Sequence, residues 1–446
     1  NTYTTGFQMD PSVAVGSAGD FIVVWRSVQD GSVSSIQGRR FAASGSPIGG
    51  EFLVNTYTTG FQYGPQVGRA SDGRFVVSWV TPGADGSLYG IAARRFDASG
   101  DPVGSQFVVN TYTTGEQMLG ALAVEGNGNF VVVWEDYNGN RDGSDSAIFG
   151  QRFDASGNRL GSEFLVNTHT TGRQGRPSVS VSPAGGFVVA FQEEFGDGSS
   201  YGVFARRYDA AGSAVGNDFV VNAYTTASQM PHSSQVVTHD ARGNFVVTWL
   251  GQDSPTLGAV GIRGQRFNAS GARRGSEFGV NTYTTGTQRR SSVTSDAAGN
   301  YVIAWDSTGQ DGSDDGIFAQ RYGGLASASL TVDDSPGNLV LEPGETVEVG
   351  PTWRNFSGAS LAFGGGLLSF AGPAGASYTI SDGVGDYGTV ANGATATCAD
   401  CYAVTVSDPP TRPALHWDAT AVESIVPDTL GQQKQWVVHV GRSFTD

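Results

Sequence analysis

Asn-Thr-Tyr-Thr-Thr, or a near variant, starts at Asn1, Asn55, Asn110, Asn167, Asn222 and Asn281, at steps of 54, 55, 57, 55 and 59 residues. Such a period marks one supersecondary unit copied along the chain, each copy covering its apolar face against the next. Every copy continues in the same order. A Gln lies seven residues on, at Gln8, Gln62, Gln117, Gln174, Gln229 and Gln288. An apolar stretch then ends in Trp25, Trp79, Trp134, Phe191, Trp249 or Trp305. A turn follows with Asp30, Asp85, Asp142, Asp197, Asp253 or Asp311. Last comes Arg40, Arg95, Arg152, Arg207, Arg266 or Arg321, each before Phe or Tyr.

Within one copy the pattern reads as four short strands. In the second they are Pro65–Arg69, Arg74–Trp79, Gly90–Phe96 and Gln106–Thr111. Phe75-Val76-Val77-Ser78-Trp79 is a near-continuous apolar run, as in a strand covered on both faces. Ser71-Asp72-Gly73, Ala84-Asp85-Gly86-Ser87 and Ala98-Ser99-Gly100 supply the turns. No segment carries a useful helical period. The expected fold is therefore all-β: a six-bladed β-propeller of four-stranded blades over residues 1–325. Because Asn1 lies inside a copy, Asn1–Thr5 is expected to complete the blade formed by Ser291–Tyr322.

The repeat stops near Ser327. Residues 326–446 read as a β-sandwich of short strands, among them Ser329–Val332, Thr346–Asn355, Tyr378–Ile380, Ala403–Val406 and Trp436–Val440. Cys398-Ala-Asp-Cys401 holds both cysteines of the chain. Neither a βαβ context for redox chemistry nor a second Cys pair for zinc accompanies it, so a short-loop disulfide between Cys398 and Cys401 is expected.

The 42 acidic against 26 basic residues, a net charge of −16, argue against a nucleic-acid partner. No apolar run reaches the ~18 residues of a spanning helix, and no membrane span is expected.

The unit V-N-T-Y-T-T-G-x-Q…F-V-V-x-W…D-G-S…R-F-D-A-S-G…G-x-E-F resembles repeats of large secreted and surface proteins of bacteria, often found beside adhesion modules. The resemblance covers residues 1 to about 322. The tail, with Leu341-Glu-Pro-Gly-Glu345, Trp353-Arg-Asn355 and Tyr387-Gly388, looks like the immunoglobulin-like accessory domains of bacterial extracellular proteins. Together these imply a secreted or cell-surface location. Neither brings a catalytic motif.

The repeated polar residues have a structural reading and a functional one. Asp before Gly shapes its own turn, and the repeated Arg is expected to pair with a carboxylate or backbone carbonyls between blades. Functionally, the six Asp and six Gln residues form a ring of equivalent sites able to match sugar hydroxyls, with Phe7, Met9, Phe61 and Tyr63 as variable neighbours. Calcium is the one cofactor left open, at Asp142 and Asp145 or at Asp311, Asp314 and Asp315. Catalysis needs unlike groups converging, and six matching copies offer few. The leading expectation is thus a non-catalytic adhesion protein that binds a glycan or cell-surface polymer. Two alternatives stand beside it. One is a self-associating structural subunit of a fibre or surface layer. The other is a glycoside hydrolase-like propeller, whose site is sought where copies four and five depart from the pattern: Glu193-Glu194, His232, His239 and Asp253.

Overall fold

Phe75–Pro82 forms a strand buried along almost its whole length, because its apolar side chains face neighbours on both sides of the sheet. Phe130–Tyr137 and Phe187–Glu194 repeat the pattern in the next two copies. The computed structural model describes residues 1–31, 33–254, 258–296, 299–322, 325–332, 340–355, 360–409, 416–426 and 433–441. Side chains of residues 252–254, 258, 259 and 433 are outside that description, Asp253 among them.

Each copy folds as an antiparallel meander. Copy one runs Gln8–Val15, Phe21–Ser27, Ser35–Phe41 and Pro47–Leu53, paired in that order. Copy two follows as Tyr63–Arg69, Phe75–Pro82, Tyr89–Phe96 and Phe107–Val108, close to the expected bounds. Copies two and three are joined by one parallel pairing, Tyr89 with Glu116. Among the described residues, copy six shows the strands Gln288–Ser295, Tyr301–Thr308 and Asp315–Tyr322. No described residue is helical.

The chain divides into two compact units, Asn1–Thr294 with Ala304–Phe318, and Ser295–Ile303 with Ala319–Asp446. In the first unit, the first strands of successive copies pack against one another. Ser12 Oγ accepts from the Val67 amide at 3.2 Å, and Ser178 Oγ accepts from the Val236 amide at 3.0 Å. The repeated aromatic is core as expected: Trp79, Trp134, Phe191 and Trp249 are fully buried. The repeated Arg bonds backbone carbonyls of the following copy. Arg40 reaches Ala98 O at 2.9 Å, Arg95 reaches Ala155 O at 3.2 Å, and Arg207 reaches Ala269 O at 3.0 Å.

Asn1–Thr5 departs from expectation. It forms no strand, and its bonds run to copy one: the Thr2 amide to Glu51, and Asn1 Nδ2 to Gln8 Oε1 at 3.2 Å.

In the second unit, Leu325–Val332, Thr346–Asn355, Tyr402–Val406 and Tyr378–Asp382 form one sheet, with Thr395–Thr397 at its side. Val384–Val390, Leu361–Ala371, Trp417–Val426 and Gln433–Val440 form another. Inward residues of both merge into one cluster that includes Val347, Trp353, Phe363, Trp417, Ile425 and Trp436. The two thiols are free here, where a disulfide was expected. Cys398 Sγ donates to Asp400 O and Cys401 Sγ to Cys398 O, each at 2.7 Å. Burial pushes the Cys398 thiol far up.

Candidate functional site

The repeated Asp, Asn and Gln form one hydrogen-bonded device. Asp85 Oδ1 accepts from the Ser87 amide at 2.9 Å, closing its own turn, and Oδ2 accepts from Asn110 Nδ2 at 2.8 Å. Asn110 Oδ1 accepts from the Ile91 amide at 2.9 Å, and its Nδ2 also reaches Gln117 Oε1 at 3.1 Å. Asp142 with Asn167 and Asp197 with Asn222 repeat the arrangement at 2.9 and 2.8 Å. In all six copies the Gln Nε2 donates to the Thr carbonyl three residues earlier, from Gln8 at 3.1 Å to Gln229 at 2.8 Å. Gln62, Gln117, Gln174, Gln229 and Gln288 are buried. The Asp turns and Thr-Thr-Gly-x-Gln segments do come together, as the topology predicts. At Asp85, Asp142 and Asp197 the Asp and Asn polar atoms are engaged with one another, while Gln62 Oε1 and Gln229 Oε1 are buried without a hydrogen-bond partner among the described residues. Asp311 is exposed and binds the Ser313 amide at 3.0 Å.

Of the candidate calcium ligands, Asp142 is held as above and Asp145 and Asp314 are exposed. Asp315 accepts from Arg289 Nη2 at 2.8 Å and from Thr308 Oγ1 at 2.7 Å. Among the described residues, no three His, Cys, Asp or Glu side chains gather as a metal-holding group.

A different site lies where residues of all six copies line a common cavity of about 800 Å³. Two residues beyond each repeated Gln stand Asp10, Gly64, Leu119, Arg176, Pro231 and Arg290. Five of these have positive φ: Asp10 54°, Gly64 60°, Leu119 49°, Arg176 53° and Arg290 55°. The strand pairing slips there, for example between Met9 and Ser12 and between Gly175 and Ser178. These are β-bulges, which re-aim a side chain out of the ladder. All five line the cavity, with His232 representing copy five. A left-handed non-Gly residue is strained, and such strain gathers at functional positions.

The wall is chemically unequal. Asp10 Oδ2 lies 3.2 Å from Arg26 Nε and remains exposed. Behind Arg176, the buried Glu135 accepts from the Arg176 amide at 3.2 Å and from Arg173 Nη2 at 2.6 Å. Behind Arg290, Asp306 accepts from Arg289 Nε at 2.8 Å. His232 Nε2 is buried without a hydrogen-bond partner among the described residues, and burial, reinforced by Arg176 and Arg290, pushes its pKa down to about 4. Tyr63 also lines the cavity, and burial pushes its phenol up to about 12. Pro11, Pro177, Val80 and Leu119 supply apolar wall, and Gln66, Ser233 and Ser234 supply neutral polar groups.

The departures singled out in copies four and five fall elsewhere, except His232. Glu193 is buried, 2.7 Å from His169 Nδ1, and burial with Asp218 and Asp197 nearby pushes it up to about 8. Glu194 Oε2 accepts from the Arg173 amide at 3.1 Å. His239 bonds Ser180 Oγ at 2.9 Å. Met9 and Tyr63 reach the cavity wall, whereas Phe7 and Phe61 are exposed and outside it. Asp10, Arg176 and Arg290 went unnoticed in the sequence. Their signal was the position where otherwise matching copies disagree in charge.

No protein-family model matches the chain, and no curated protein matches it. Similar solved structures include an α-L-arabinanase from Penicillium chrysogenum complexed with arabinobiose, 15% identical, covering 71% of this chain and 94% of that one with a TM-score of 0.46. An α-L-arabinofuranosidase from Fusarium graminearum with an iminosugar inhibitor is 13% identical, covering 72% and 94%, at 0.47. A Dyadobacter fermentans protein of unknown function is 13% identical, covering 70% and 93%, at 0.46. Arabinanases and arabinofuranosidases recur among further matches. The expectation of a non-catalytic adhesion protein is corrected on this finding, since the activities named among these matches are arabinanase and arabinofuranosidase.

Proposed function

We propose that the chain is a glycan-hydrolysing enzyme: a six-bladed propeller with its substrate site in the central cavity, followed by a β-sandwich. One observation carries the reading. Positions that repeat six times are spent on holding the fold, and the cavity wall is where the copies diverge into unlike charged and titratable groups. Glycoside hydrolysis needs a carboxylate to activate water or attack the sugar, and a proton donor for the departing oxygen. Asp10 is the open carboxylate, held 3.2 Å from Arg26. Tyr63 is the wall group that holds a proton for the departing oxygen, its phenol staying protonated to about pH 12, whereas the His232 imidazole is neutral above about pH 4 and there can only accept one. Glu135 and Asp306 sit beneath their arginines and fix the cationic wall. Resemblance of the repeats to those of secreted and surface proteins supports an extracellular polymer as substrate.

The test is reducing-end release from a polysaccharide panel that begins with arabinan and includes acidic glycans. Asp10→Asn is expected to lower kcat at least a hundredfold with the melting temperature retained. Tyr63→Phe is expected to lower kcat as well, and His232→Gln to lower it less, because only the phenol carries a proton to give at neutral pH. No release from any polymer, or full activity in Asp10→Asn, would overturn the proposal.

A further inference from the structure

The charged groups of the cavity wall are not spread evenly around it. Copies four, five and six, which follow one another, supply Arg176, His232 and Arg290. Just past these residues the same segments are stitched together. The Val236 amide donates to Ser178 Oγ at 3.0 Å, and Ser292 Oγ donates to Gln235 Oε1 at 3.1 Å. Gln235 Nε2 donates in turn to Ser12 Oγ of copy one at 3.4 Å. The two arginines are thereby gathered near the imidazole, and both oppose its protonation. Copies two and three supply a small and apolar wall instead, with Leu119 and with Gly64, where a Cβ would meet nothing within 4 Å.

The cations of this wall are left without counter-charge. The buried acids behind them are already taken: Glu135 pairs with Arg173 at 2.6 Å, and Asp306 with Arg289 at 2.8 Å. Arg290 Nη1 is 3.9 Å from Asp306, beyond hydrogen-bond reach. The Arg176 guanidinium, unlike its amide, has no hydrogen-bond or ion-pair partner among the described residues. Asp10, the one acid lining the cavity, answers Arg26 at 3.2 Å. A cleft focuses such an uncompensated field on whatever enters it. A carboxylate is the chemical match, because its two oxygens offer about four lone-pair sites, enough for two guanidinium forks. The space of about 800 Å³ is far more than a bare anion fills, and it suits a sugar unit or a short stretch of glycan that carries one.

We propose that the cavity binds a uronic acid unit of a glycan, its carboxylate held between Arg176 and Arg290 and its apolar ring face on Leu119. For the purpose of the site this rests on the hydrolase reading, whose substrate class it names. Binding itself needs no turnover.

The probes are uronate trisaccharides of the gluco, galacto and manno series, each beside its methyl ester, which keeps the ring and removes the charge. Titration calorimetry on the full chain is expected to show saturable binding of at least one acid, and binding of its ester at least about tenfold weaker. Arg176→Gln and Arg290→Gln are each expected to weaken the acid about tenfold or more and to leave the ester unchanged, with the melting temperature retained. Arg176→Lys keeps the charge without the fork and is expected to lose less. The His232 ring signal, assigned by its loss in His232→Gln, gives a second readout. Arg176, Arg290 and Arg289 hold its pKa down and Asp306 raises it, so a carboxylate bound beside it is expected to lift the midpoint from about 4 to about 5 or higher. No acid bound at millimolar concentration overturns the proposal, as does an ester that binds equally well. Free acetate matching the trisaccharide reduces the site to an adventitious ion only, and a sulfated neutral trisaccharide binding more tightly reassigns it to a sulfate ester. Each of these also overturns the proposal. Reducing-end release on the same panel separates the two readings. Uronate binding without release from any polymer removes the hydrolase and keeps this site, whereas release from arabinan without uronate binding does the reverse.

Discussion

Glu423 in the second unit is fully buried, and four neutral donors surround its carboxylate. Trp353 Nε1 and Trp436 Nε1 donate to Oε2 at 3.0 and 2.7 Å, while Tyr387 and Tyr402 hydroxyls donate to Oε1 at 2.5 and 2.7 Å. Burial beside this carboxylate pushes both phenols far up. Two substitutions separate the roles of charge and of acceptor. Glu423→Gln keeps an acceptor for the indoles, which can only donate, and turns its amide to the phenols, which can accept. Weakened bonds are partly offset by removing a buried charge, so a loss of about 1–2 kcal/mol is expected. Glu423→Ala strands both indole N–H groups and opens a cavity, and about 4 kcal/mol or more is expected. For a unit of about 130 residues that loss corresponds to roughly 15 °C in melting temperature. Scanning calorimetry of the full chain reads the shift, and hydrogen exchange in Thr346–Asn355 and Trp417–Val426 assigns it to this unit. If Ala costs no more than Gln, the four-donor account of this core is wrong.

Other perturbations probe the repeat unit. Glu193 holds its proton to about pH 8 when folded and to about 4.5 when unfolded, so the native chain binds the extra proton between those values. Stability of the first unit is therefore expected to fall as pH rises from about 4.5 to about 8, and Glu193→Gln to flatten melting temperature against pH across that window. Asn110→Ala removes the acceptor of the Ile91 amide and the anchor of Asp85 and Gln117. A loss of about 2–4 kcal/mol is expected, read by urea unfolding and by faster exchange at Ile91. A Cβ at Gly150 would meet the Phe164 ring at 2.6 Å. Gly150→Ala is expected to cost about 1–3 kcal/mol in the same assay, whereas Gly143→Ala, with nothing within 4 Å, tests the cost of positive φ alone.

The strand pattern was legible because its causes are local: apolar runs ending in an aromatic, and Asp-Gly and Ser-Gly turns at fixed offsets. The Arg partners were legible in kind, since an arginine in an apolar strand must find acceptors. The cavity was not. Asp10 and Arg290 are 280 residues apart, and neither belongs to a recognisable motif. Glu193 attracted attention as a paired acid, yet it is sealed under His169, a burial invisible from its neighbours in sequence.

By itself the chain's order of residues determined that it would be all strands, that one unit would recur, and that the Asp before Gly would shape its own turn, because that bond spans two residues. Which side chains share a cavity was decided only by packing of the copies against one another and by the left-handed backbone at Asp10, Arg176 and Arg290. Likewise, only the tertiary structure showed Glu423 sealed among two indoles and two phenols. Exposure is set by what another segment does, and no residue's own neighbours encode it.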